Sequence, residues 1–179
     1  MKKLVVLLVA AVAACVVNAA TASWSMSNVL SPVEGTAASG YSAYLFSYLA
    51  SDTATYGSVT GALADGNLSV LSSATATGTI SSGKISASGA GSFAASTAYT
   101  AFAVVFDGAD PASAGNYMIT KEVSKTVAAT GANISFGFGT QAATTWNKMA
   151  GGGDGTPEPT SGLLLLVGGA MLALRRKQK

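Results

Sequence analysis

Residues 99–106 read YTAFAVVF, and the turn-forming pair Asp107-Gly108 follows directly. Only Thr100 interrupts the apolar run. A run of this length, rich in aromatic and β-branched side chains and closed by a turn signal, is typical of a strand that is buried on both faces. The sequence therefore predicts a buried β-strand here, and the rest of the body can be interpreted around it.

A second segment, residues 41–48, alternates like a strand. One face would carry aromatic rings and the other smaller side chains: Tyr44, Phe46 and Tyr48 against Ala43, Leu45 and Ser47. Further strands are predicted at 117–123 and 134–138, and a tight hairpin is predicted to turn at Ser82-Gly83. Together these patterns predict an all-β fold, a small antiparallel sandwich or barrel.

One segment favours a short helix instead. Asp52 offers a cap, Val59 and Leu63 follow at helical spacing, and Asp65-Gly66 ends the run. The stretch 72–96 consists mostly of Ser, Thr, Ala and Gly. It fits either short strands with small packed side chains or a mobile surface ribbon.

The N-terminus has the pattern of an export signal. Lys2 and Lys3 precede an apolar run, and small residues follow it. Cleavage fits after Ala22 or after Ala19, and the sequence leaves both open. The single cysteine, Cys15, also stands where a lipoprotein signal would place it, although the apolar run continues beyond it.

Removal of the two ends changes the charge of the chain. All eight acidic residues lie between Glu34 and Glu158, where only four of the ten basic residues lie, which gives that region a net charge of −4. Nucleic-acid binding needs clustered Lys or Arg, so nucleic acid is not an expected partner. A mildly acidic body favours solubility outside the cell.

The residues that usually carry chemistry are scarce. The chain has no histidine, and its one cysteine lies in the signal, so metal, thiolate and Ser-His sites are not expected in the body. We expect no catalytic residues, metal or cofactor. Asp107 and Asp110 form the nearest carboxylate cluster, and a turn-capping role explains both. Exposed aromatic rings, if present, could stack on sugars, but most are expected to pack in the core: Trp24, Trp146, Tyr41, Tyr44, Tyr48, Tyr56, Tyr99 and Tyr117.

The C-terminus has the pattern of a second targeting segment. Residues 162–174 are uncharged and, as a helix, would cover roughly 20 Å, which is short of the roughly 30 Å hydrocarbon core. Snorkelling of Arg175 and Arg176 would extend the span, and Lys177 adds to the basic stop. A short transmembrane helix that ends in cytoplasmic charges is therefore predicted.

The order Pro157-Glu158-Pro159, apolar run, basic end resembles the PEP-CTERM sorting signal of exported bacterial proteins. The resemblance covers about one eighth of the chain, and Thr156 stands where Val is frequent. It implies that an exosortase-type membrane enzyme recognises the tripeptide and removes or exchanges the helix. It also implies an association with extracellular polysaccharide.

The predicted organisation has four parts. They are a signal peptide (1–22), a β-rich exported domain (23–149), a Gly-rich linker (150–156) and a sorting signal (157–179), the last comprising the helix 162–174 and the basic tail 175–179. We expect an exported, non-enzymatic protein, held transiently in the inner membrane and then delivered to the cell surface or matrix. Its expected role is structural or adhesive, and the alternative is a secreted carbohydrate-binding module.

Overall fold

The structure is a computed structural model that describes residues 20–129 and 133–150. These residues form mostly β-strands, with one α-helix and two short 3-10 helices, Leu68–Ser73 and Pro111–Ser113. The elements follow in the order β1 (Ala20–Ser27), β2 (Tyr41–Leu49), α1 (Thr55–Ala64), β3 (Ala76–Ile80), β4 (Ile85–Gly91), β5 (Ala98–Phe106), β6 (Asn116–Ile119), β7 (Val123–Thr126), β8 (Ile134–Thr140) and β9 (Trp146–Lys148). The predicted β-rich class is confirmed.

The strands form two sheets. One has the order β4-β1-β8, and the other has the order β3-β2-β5-β6-β9, with β7 also pairing with β5. Every pairing is antiparallel except that of β1 with β8, which is parallel. The expectation of a purely antiparallel arrangement is thus wrong at one place, where the first strand of the body lies beside one from near its end.

The strand predicted at 99–106 is confirmed as β5, and every residue from Tyr99 to Phe106 is buried. Its alternate side chains enter two different cores. Tyr99, Ala101, Ala103 and Val105 face the other sheet, while Phe102, Val104 and Phe106 face α1. The neighbouring β2 divides in the same way, with Ala43 and Leu45 in the first core and Phe46 in the second. The alternation predicted for 41–48 is therefore confirmed, and layers cover both faces of this sheet.

The turn predicted at Ser82-Gly83 is confirmed, because both residues have positive φ and Ser81 and Lys84 exchange backbone hydrogen bonds. The flanking strands then separate into different sheets rather than continuing as one hairpin. They still pack closely, since a Cβ added at Gly89 would lie 2.4 Å from the Cβ of Ala76. The Ser- and Gly-rich stretch thus supplies strands whose small residues let the two sheets approach each other.

The segment 117–123 is two strands and not the single strand predicted. β6 pairs Ile119 with Val104, and β7 pairs Val123 with Ala101. Between these pairs, the three residues 120–122 lie opposite only the two residues 102–103 of β5. This extra residue is a β-bulge. The side chain of Thr120 causes it locally: its Oγ1 accepts a hydrogen bond from the Ala103 N–H at 2.9 Å.

The short helix is confirmed as α1. The Asp52 carboxylate accepts hydrogen bonds from the Ala54 and Thr55 N–H groups and thereby holds its first turn, and Val59 and Leu63 are its buried residues. Within residues 20–129 and 133–150, no helix is long and apolar enough to cross a membrane. The helices predicted at 162–174 and in the export signal lie outside the described residues.

Candidate binding groove

The residues predicted to direct sorting are not among those the structure describes. Pro157, Glu158 and Pro159, and the basic stop Arg175, Arg176 and Lys177, all fall beyond residue 150.

The two carboxylates singled out in the sequence hold loops in place. Asp107 Oδ1 accepts from the N–H groups of Gly115 at 2.9 Å and Asn116 at 3.0 Å, and its Oδ2 accepts from Asn116 Nδ2 at 2.6 Å. Asp110 accepts from the Ala112 N–H and caps the 3-10 helix Pro111–Ser113. Each carboxylate is thus used in turn formation, and the described part of the chain contains no cluster of three potential metal ligands.

The aromatic residues pack mainly against one another. Trp24, Tyr99 and Tyr117 are buried, and the other tryptophan and tyrosines are half-buried. Tyr41 meets Trp146 edge-to-face at 5.9 Å, and the Trp146 Nε1–H donates to the Leu30 carbonyl. On the α1 side, Phe102 stacks on Phe46 and receives the ring of Tyr56 at 4.9 Å. The rings therefore form packing clusters and not a flat exposed row.

A groove of about 710 Å³ lies beside α1 on the outer side of β6 and β9. Its floor includes Tyr117 and Ile119 of β6. Asn147 of β9 pairs with Tyr117, so the two side chains lie on the same face of the sheet. The remaining lining residues come from α1, the bulge, β8 and the connection between β8 and β9: Tyr56, Thr60, Lys121, Phe138, Thr140, Gln141, Ala143, Thr144 and Thr145.

One wall of the groove is fixed by hydrogen bonds of Gln141, a buried residue. Its Nε2 donates to the Phe138 carbonyl at 2.6 Å, and its Oε1 accepts from the Thr144 hydroxyl at 2.8 Å. Its backbone N–H donates to the Ser27 carbonyl at the end of β1. The loop is thus shaped before any ligand arrives, which lowers the entropy lost on binding.

The chemistry of the groove suits a neutral, hydroxyl-rich ligand. Threonine hydroxyls and the Asn147 amide supply donors and acceptors, and the half-buried Tyr56 and Phe138 rings supply apolar surface. Among the described lining residues, only Lys121 carries a full charge at neutral pH. Burial raises the pKa of Tyr117 above its ordinary value, so that hydroxyl stays protonated at neutral pH.

The groove was not predicted from the sequence patterns. Its residues come from three separate stretches of the chain, 56–60, 117–121 and 138–147, and the bulge that places Lys121 at its edge was not predicted. The one local signal was the polar stretch around Trp146, where Thr145 and Asn147 alternate with the packed ring.

Comparison with other proteins does not assign the chain to a family. No protein-family model, curated protein sequence or solved structure matches the chain.

Proposed function

We propose that this chain is an exported protein of the cell surface or extracellular matrix, with a structural or adhesive role. An exosortase-type enzyme would sort it through its C-terminal signal. The observation that carries the proposal is the order of Pro157-Glu158-Pro159, the uncharged run 162–174 and the basic residues 175–177, in a chain that also begins with an export signal. Each of these features is common in unrelated proteins, whereas their combination in this order is specific for a sorting signal.

The body supports a non-catalytic role. Asp107 and Asp110 hold turns, and the rings of Phe46, Phe102 and Tyr56 are packed together. The outer face of the smaller sheet carries small, uncharged side chains in register, such as Ser23 between Ser88 and Ser135. Small hydroxyl side chains lose little conformational entropy when covered, so such a face suits contact with a matrix.

The sorting signal can be tested by replacing Pro157-Glu158-Pro159 with three alanines. Proline favours an extended backbone and interrupts a helix, whereas three alanines would let the predicted membrane helix extend backwards. We expect uncleaved protein to accumulate in the inner membrane of a host that contains the sorting enzyme. Cell fractionation with intact-mass measurement would show it.

The matched control replaces Gly151-Gly152-Gly153 with three alanines, which leaves the tripeptide intact. This variant should be trimmed and delivered normally. Normal trimming and surface delivery of the first variant would show that the tail is only a membrane anchor.

A second candidate function, carbohydrate binding, is favoured by the groove between α1 and β9. Its volume lies in the usual range of ligand sites, roughly 300–1,000 Å³. The ligand class that fits is a segment of neutral extracellular polysaccharide, because the lining combines hydroxyls, an amide and ring surface with a single cation.

Alanine replacement of Lys121, Thr145 and Asn147 tests this second candidate. These exposed side chains leave the cores intact, so folding should be unaffected. Loss of two or three hydrogen bonds, at about 0.5–1.5 kcal/mol each, should weaken retention on the host polysaccharide at least about fivefold. The control, alanine at the exposed Lys125 and Thr126 of β7, which do not line the groove, should bind normally. Equal binding by the wild type and both variants would remove carbohydrate binding at this groove.

A further inference from the structure

The first strand of the body begins before one of the two cleavage points that the sequence permits. β1 starts at Ala20, and residues 20, 21 and 22 pair with Gly91, Ala90 and Gly89 of β4. Ala22 also pairs with Ile134 of β8. A cut after Ala22 would therefore remove three residues from the middle strand of a three-stranded sheet, whereas a cut after Ala19 would leave the strand whole.

The residues that a cut after Ala22 would remove are packed and hydrogen-bonded. Ala22 has no exposed surface and belongs to the core between the sheets. The Thr21 N–H donates to Asn133 Oδ1 at 3.1 Å, which connects the start of β1 to the start of β8. Loss of these residues would leave the end of β4 without its partner strand on this side and a gap in the core where Ala22 packs.

The position of the new amino group also differs between the two products. After a cut behind Ala22, the charged terminus would be Ser23, which pairs with Ser88 on one side and Ser135 on the other. A charge between two strands loses hydration that the neighbours do not replace. After a cut behind Ala19, the terminus would be Ala20, whose paired neighbour is Gly91 of β4 alone, since the β8 pairing begins at Ala22.

We infer that signal peptidase processes this chain between Ala19 and Ala20, so that the mature protein begins with the first residue of β1. The inference rests on the export proposed above. The residues before this bond fit the enzyme, because Val17 and Ala19 occupy the positions three and one before the cut, where small side chains are required.

Intact-mass measurement of the exported full chain, with sequencing of its N-terminal peptide, tests the assignment. The expected N-terminal residue is Ala20. A chain that begins at Ser23, or at a lipidated Cys15, would overturn the assignment and leave export standing. A chain that keeps Met1 would overturn both the assignment and the proposed export.

Two single substitutions separate the alternatives further. Ala19→Leu places a large side chain immediately before the inferred cut, and Ala20→Leu places one three residues before the other cut. We expect Ala19→Leu to abolish the Ala20 terminus and Ala20→Leu to be cut normally, giving Leu at position 20 as the first residue. The reverse pattern, with Ala20→Leu blocking cleavage and Ala19→Leu processed normally, would overturn the assignment.

Discussion

Trp24 is the largest of the fully buried side chains in the described residues, and its indole N–H lacks a hydrogen-bond acceptor. It is 1% exposed, and its Nε1 has no hydrogen-bond partner among the described residues. A buried donor without a partner costs about 1–3 kcal/mol. The ring therefore stabilises the core through its size, and its nitrogen offsets part of that gain.

This balance predicts an unusually mild substitution. Trp24→Phe removes the unpaired donor as well as ring volume, so the free energy of unfolding should fall by less than about 2 kcal/mol, against about 3–5 kcal/mol for Trp24→Ala. Trp146→Phe is the control, since it breaks the bond to the Leu30 carbonyl. Urea unfolding measures all three, and equal losses for Trp24→Phe and Trp24→Ala would contradict the argument.

Tyr117 predicts how stability changes in alkali. Burial raises its pKa in the folded protein above the ordinary value of 10.0. Between that value and the raised one, the unfolded chain loses the phenolic proton while the folded chain keeps it, so unfolding becomes more favourable as pH rises. Stability should therefore fall above about pH 10, and less steeply in Tyr117→Phe. Urea unfolding at several pH values checks this, and identical slopes would rule it out.

At the scale of elements, the bulge between β6 and β7 depends on one side chain. Thr120 is 1% exposed, and its Oγ1 accepts from the Ala103 N–H where a backbone carbonyl would accept in a regular ladder. Thr120→Val keeps the shape but leaves that donor unpaired, so we expect a loss of about 1–3 kcal/mol in the free energy of unfolding. Thr120→Ser should restore most of it. If Val is tolerated as well as Ser, the hydroxyl does not hold the bulge.

Two glycines in different elements should respond to alanine in opposite ways. A Cβ at Gly89 would lie 2.8 Å from the Thr75 carbonyl oxygen and 3.0 Å from the Ala76 Cα, so β3 and β4 would have to separate. A Cβ at Gly57 in α1 meets nothing within 4 Å. We expect Gly89→Ala to lower the thermal midpoint and Gly57→Ala to raise stability by up to about 1 kcal/mol. Calorimetry decides, and an unchanged midpoint for Gly89→Ala would show that the strands are loosely packed.

These elements also show how far sequence reasoning reaches. The strands at 41–48 and 99–106 were predictable because their patterns reflect which side chains are buried, and the turn at Ser82-Gly83 because its positive φ values favour such residues. The bulge was not predictable, since it depends on a hydrogen bond between the Thr120 side chain and another strand. β1 was missed because its start overlaps the small residues that were predicted to end an export signal.

At the scale of the whole molecule, the sequence predicted the layers better than the site. The core follows from hydrophobic patterning within each strand. The groove depends on how β6, β9 and the loop at Gln141–Thr144 meet, and no periodicity within one segment contains that information. The parallel pairing of β1 with β8 is equally non-local.

The parallel pairing of β1 with β8 also determines the order in which parts of the chain can fold. Thr21 contacts Asn133 across 112 positions in the chain, and such distant contacts form slowly because a long loop must close first. The smaller sheet cannot form completely until β8 is present, so a chain that is synthesised from its N-terminus stays incompletely folded until nearly all of the described residues have been made. We expect refolding in milliseconds to seconds, with the β1 amides that bond to β8, rather than those that bond to β4, gaining hydrogen-exchange protection no earlier than the amides of β8. Earlier protection of these β1 amides than of the β8 amides would contradict this order of folding.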